Sequence, residues 1–196
     1  LHISQRASHT NVQWKMNTVG CNGMYLAAIA LTGHTQMQEG SARLIAVLSD
    51  ALHVLAAGTW LGGIAALLML LAAARAGGST EEQTAVTALK RFSPVGYAVV
   101  ATLLATGIAN SLFMLSSFAE LIEAPYGRVL LVKLALFAAM LGLAANNRFI
   151  LTPRLDADET RRPTLRIFAR QITVEQLVGL GVLAVVALLG TTEPPM

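Results

Sequence analysis

The chain has 196 residues, 55% of them hydrophobic and 13% charged, with a mean hydropathy of +0.60. Soluble domains carry about a quarter charged residues, so this balance excludes an ordinary soluble domain and describes an integral membrane protein. The formal net charge of +3 is small, and the basic residues cluster beside apolar segments, as topology determinants do, rather than forming a nucleic-acid surface.

Residues 1–20 are polar and aperiodic, without the basic start and apolar core of a signal peptide. They are expected to be poorly ordered or non-native. The chain opens on Leu1, which suggests a fragment or a misplaced start, with Met16 and Met24 as alternatives. Residues 21–196 then form a single transmembrane domain. The single cysteine, Cys21, forms no internal disulfide, and phosphate-loop, Gly-x-Ser-x-Gly and His-Glu-x-x-His motifs are missing from the sequence. No enzyme chemistry is signalled.

Met24 to Thr32 is apolar but too short to span a bilayer, which takes about 20 residues, and it reads as a short helical remnant. A polar loop from Gln36 to Gly40 follows. The first full span runs from about Ala42 to Ala74. At 3.6 residues per turn, Asp50, His53, Ala57, Trp60 and Ile64 share one of its faces. Gly58 and Gly62 make a Gly-x-x-x-Gly pair of the kind that lets membrane helices approach closely. Arg75 to Arg91 reads as a loop with room for a helical continuation before Pro94. The second span covers about Phe92 to Phe118, with Thr102, Thr106 and Asn110 as its polar groups. After an acidic loop from Glu120 to Pro125, the third span runs from Tyr126 to Arg148 and contains Lys133. A basic loop leads to Pro163, placed to start the last helix, whose span covers about Ile167 to Leu189 and contains Glu175. The expected fold is therefore all-α: a polytopic membrane helix bundle with four full transmembrane helices plus the N-terminal remnant. The Arg-rich loops fall on one side, which the positive-inside rule puts in the cytoplasm, with the C-terminus outside.

Ionisable groups inside a membrane are costly and mark function by default. His53 is the leading candidate, able to ligate a metal or relay a proton. Asp50, one turn earlier, is placed to orient the imidazole, or simply to sit at a helix start. On the same outer side, His34 and Met37 offer an imidazole and a thioether, and Met114 a second thioether; this donor set suits copper better than magnesium or calcium. Asn110 is expected at about the depth of His53, and Trp60 is expected to pack inside the bundle. Lys133 reads as snorkelling outward, or as pairing with Asp50. Arg148 and Glu175, at similar depth on adjacent spans, are expected to form a structural ion pair.

Leu52-His53, Trp60-Leu61-Gly62-Gly63, Arg91-Phe92-Ser93, Thr106-Gly107, Tyr126-Gly127-Arg128 with Leu131 and Lys133, Asn147-Arg148, Glu175 and Pro194-Pro195, in this order, resemble the copper resistance protein D family. So does the upstream Thr32-Gly33-His34. The resemblance runs from about Tyr25 to Pro195. It implies a bacterial inner-membrane protein that moves copper from periplasm to cytoplasm, often with a periplasmic copper-binding partner of the copper resistance protein C type. It also implies that this chain is the C-terminal membrane domain of a longer protein. On that reading copper is transported or transiently bound rather than kept as a cofactor; the donor chemistry of the residues, rather than the resemblance, makes His53, His34, Met37 and Met114 the expected ligands, with Asp50, Trp60 and Asn110 along the path. Two other classes fit the residues: a haem-binding electron carrier of cytochrome b type with His34 and His53 as axial ligands, and a structural membrane subunit without a ligand.

Overall fold

The computed structural model describes residues 40–114 and 119–192. Helices α1 (Gly40–Ala76) and α2 (Ser79–Met114) are joined by a tight turn, and a single helical turn, α3 (Glu120–Glu123), leads into α4 (Pro125–Asn146). The chain then tightens and loosens in succession, through a π-helical turn (Asn147–Leu151) and a 3-10 turn (Thr152–Leu155), before α5 (Asp158–Leu189). Four segments are long and apolar enough to cross a membrane: Leu44–Ala76, Ser79–Leu112, Pro125–Leu155 and Arg161–Leu189. The all-α bundle with four spans expected from the hydropathy is what forms, whereas the N-terminal remnant at Met24 to Thr32 lies outside the described residues.

Two boundaries differ from expectation, both around a proline. The segment expected as a loop up to Arg91 is helical from Ser79, and Pro94 lies inside α2. The reason is packing: Ala85, Val86 and Leu89 recur at helical spacing and are buried, at 1%, 3% and 6% exposure, against a core that includes Leu151, Leu155 and Leu165. Likewise α5 begins at Asp158, so Pro163 sits in its second turn rather than at its start. These extensions lie beyond the roughly 30 Å of hydrocarbon that a bilayer offers, since the 37 residues of α1 alone rise about 55 Å. There, Lys90 pairs with Asp156 and Arg162 with Glu82 at 3.1 Å, which places charges where water screens them.

The packing order is α2, α1, α5, α4: α1 packs on both α2 and α5, and α4 packs on α5. Among the described residues α2 and α4 have no packed interface with each other, so a cleft separates them with α1 and α5 as its floor. The buried stripe of α1 is Ala46, Ser49, Ala56, Trp60, Ile64, Leu67 and Leu71, steps of three, four or seven residues that keep one face inward. This is the face on which His53 was placed by the sequence.

A close approach of α1 and α2 occurs at Gly63, not at Gly62 of the Gly-x-x-x-Gly pair. A Cβ on Gly63 would meet the Phe92 ring at 2.3 Å, whereas one on Gly62 would meet nothing within 4 Å. Gly63→Ala is therefore expected to overpack the α1–α2 interface and to cost about 1–3 kcal/mol. Gly62→Ala is expected to be neutral or slightly stabilising through helix propensity. Thermal unfolding of the two variants in detergent checks this, and equal midpoints would contradict the close approach.

Candidate functional site

Two polar clusters lie on the inward stripe of α1, one toward the outer end of the span and one near its middle. At the outer end, α1 faces α2. Ser49 Oγ donates to Asn110 Oδ1 at 2.7 Å, with Thr106 O also near at 3.4 Å. Asn110 Nδ2 donates to Asp50 Oδ1 at 3.5 Å. One turn further in, His53 Nδ1 lies 2.9 Å from Thr106 Oγ1. The Thr106 hydroxyl has one proton, and it is directed to Thr102 O at 2.6 Å. Hydrogen-bond accounting therefore makes Thr106 Oγ1 the acceptor and puts the proton of a neutral imidazole on Nδ1. Nε2 is left with its lone pair, the form in which a histidine binds a metal. The α2 backbone runs close beside the ring, because a Cβ on Gly107 would stand 3.6 Å from His53 Cε1. Lys133 of α4 is within Coulombic reach of both Asp50 and His53.

These contacts change two expectations. Thr106, not Asp50, holds the imidazole Nδ1, and Asp50 Oδ1 instead takes the amide of Asn110. Asn110 itself lies one turn outward of the His53 level, because α2 runs antiparallel to α1 and brings Thr106 opposite the ring. Ser49 and Thr106 were the partners missed as such; reading α2 backwards from Asn110 in helical steps finds Thr106. His34 and Met37 lie outside the described residues, as does the side chain of Met114, which ends α2. Among the described residues no group of three or more His, Cys, Asp or Glu side chains converges on one point.

The inner cluster is built around Glu175 of α5, 3% exposed. Trp60 Nε1 donates to Glu175 Oε1 at 2.9 Å, and Asn147 Nδ2 donates to Oε2 at 3.1 Å. The expected ion pair between Arg148 and Glu175 does not form. Arg148 and Asn147 are neighbours in sequence but point differently, and it is Asn147 that faces the bundle. Arg148 Nε instead donates to Tyr97 OH at 3.3 Å, a link from the end of α4 across the cleft to α2. Trp60 is buried inside the bundle as expected, its ring edge-on to Phe137 at 6.0 Å and 71°. A cavity of about 330 Å³ lies in the inner part of the cleft, lined by Trp60, Asn147 and Glu175, by apolar side chains and by Arg148 and Tyr97.

Comparison with known proteins places this arrangement among copper-related sequences. A family model described as copper resistance protein D matches residues 86–189. The chain is 36% identical over 179 residues to copper resistance protein D of Pseudomonas syringae pv. tomato, covering 89% of this chain and 57% of that protein. It is 32% identical over 166 residues to inner membrane protein YebZ of Escherichia coli K12, covering 85% and 55% respectively. Copper transport protein CutJ of Bacillus subtilis 168 is 33% identical over 170 residues, covering 87% of this chain and 29% of that protein. The chain thus spans little more than half, or less, of the length of these relatives. No solved structure matches it.

Proposed function

The chain belongs to the copper resistance protein D family, and on that footing we propose that it passes copper inward across a bacterial inner membrane, capturing the ion at His53 on the periplasmic side. The observation that carries this reading is the His53–Thr106–Thr102 relay, which leaves the Nε2 lone pair available inside a membrane span. An imidazole paired with thioethers is a donor set for copper, and neither ligand type brings a buried anion that would trap the ion in transit. His34, Met37 and Met114 are the further ligands in this proposal. Asp50 offsets the positive charge of Lys133 nearby. Names of relatives that carry copper resistance and copper transport support the substrate class. The clustering of Arg75, Arg91, Arg148, Arg154, Arg161, Arg162 and Arg166 toward one end of the bundle supports a cytoplasmic Arg-rich face. A periplasmic donor of the copper resistance protein C type is the expected partner.

The test is direct binding of Ag⁺, a redox-silent stand-in for Cu⁺, to the chain in lipid nanodiscs. Thr106→Val keeps the shape of the side chain and removes the acceptor that fixes the imidazole. It is expected to weaken Ag⁺ binding by roughly 10–100-fold, as loss of a ligand-orienting partner does, while Thr106→Ser restores it. Unchanged affinity in Thr106→Val would sink the role given to His53 Nε2.

A further inference from the structure

Glu175 presents a charge-balance problem. A carboxylate taken out of water needs a counter-charge, because an isolated buried ion is far costlier than a buried hydrogen-bonded dipole. Both of its oxygens receive neutral N–H donors, from Trp60 and Asn147, and no cationic side chain among the described residues pairs with it. The adjacent Asn147, itself 9% exposed, leaves its Oδ1 without any partner, and it lines the same cavity as Glu175. The backbone there is irregular: α4 gives way to a π-helical turn at Asn147, whose carbonyl takes the Thr152 hydroxyl at 2.9 Å. Such turns recur at functional sites, and broken backbone inside a membrane protein persists where it lines a cavity. Here it turns the Asn147 amide toward Glu175.

We propose that Glu175 and Asn147 form a site for an exchangeable hard monovalent cation, a proton or a sodium ion, reached through the cavity between α2 and α4. The donors decide the class: carboxylate and amide oxygens favour hard cations, and no His, Cys or Met is among the residues lining the cavity. The ion supplies the missing positive charge and fills the open Asn147 oxygen. Of the elements around the cavity, α2 contributes Tyr97 and the π-helical turn contributes Arg148 as its other titratable or charged groups, and α1 contributes none. Arg148 is exposed, and its guanidinium is bonded to Tyr97 rather than to Glu175. This site goes beyond the copper reading and stands whether or not copper is the cargo.

Trp60 reports on it directly, because its indole N–H is bonded to the proposed ligand. The chain has two tryptophans, Trp14 and Trp60, so Trp14→Phe leaves Trp60 as the sole emitter. In nanodiscs free of copper, its fluorescence is titrated with NaCl against choline chloride at fixed pH, and separately with pH in choline chloride. A saturable change is expected in one titration, identifying sodium or the proton as the ion, and it is lost in Glu175→Gln. Asn147→Ala, folded by circular dichroism, weakens it. A Trp60 signal that stays flat in both titrations, or a response retained in Glu175→Gln, overturns the proposal.

Discussion

Trp60→Ala is expected to be the most destabilising single substitution at the inner cluster, at about 3–5 kcal/mol for the lost aromatic volume. The residue is 5% exposed and meets Phe137 edge to face, so its removal opens a cavity between α1, α4 and α5 that their backbones cannot close. It also strips Glu175 of one of its two N–H donors, and a hydrogen bond to a charged group contributes about 1.5–3 kcal/mol. Trp60→Phe separates the two effects, since it keeps most of the ring and removes only the donor. Unfolding in mixed detergent micelles should rank the wild type above Trp60→Phe and Trp60→Phe above Trp60→Ala. Equal losses in the two variants would put the whole effect in the N–H···O bond and none in packing.

The sequence made the α1 face legible because a membrane helix has few ways to hide polar groups. Asp50, His53, Ala57, Trp60 and Ile64 recur every three or four residues, and the bundle places that stripe inward. Depth along each span was legible to within about one turn, from the 1.5 Å rise per residue. Direction around each helix axis was not. Arg148 and Glu175 come at similar depth, yet Asn147, one residue earlier and about 100° round the helix, reaches the carboxylate. Thr106 and Asn110 share a face of α2, and a shift of one turn decides which of them meets His53. Pro94 and Pro163 misled for a different reason. Proline disfavours a helix interior by about 3 kcal/mol, but burial of Ala85, Val86 and Leu89 on one side, and of Thr164, Leu165 and Phe168 on the other, carries the helices through. The cleft had no sequence signal at all, since it arises from the packing order of four helices rather than from any one of them.

The two polar clusters sit two turns apart on α1, about 10 Å along its axis. The outer one holds a histidine with an available lone pair, and the inner one a carboxylate and an unpartnered amide oxygen beside a cavity. Between them α1 contributes only small residues on this face, Ala56 and Ala57. An imidazole outside and hard oxygen donors inside fit the proposed route, on which copper is held at entry and not retained further in.

The central claim is that His53 lies on a copper path, and loss of its imidazole is expected to have the largest functional effect. The Nε2 lone pair is the one ligand of the proposed set that the geometry orients, so His53→Ala removes the capture step while leaving the Ser49–Asn110–Asp50 contacts in place. Total cell copper is measured in cells expressing this chain, beside His53→Ala at matched membrane levels and an empty-vector control. The account predicts that the wild type raises cell copper and that His53→Ala falls to the vector level. Equal copper in the wild type and His53→Ala cells would contradict it.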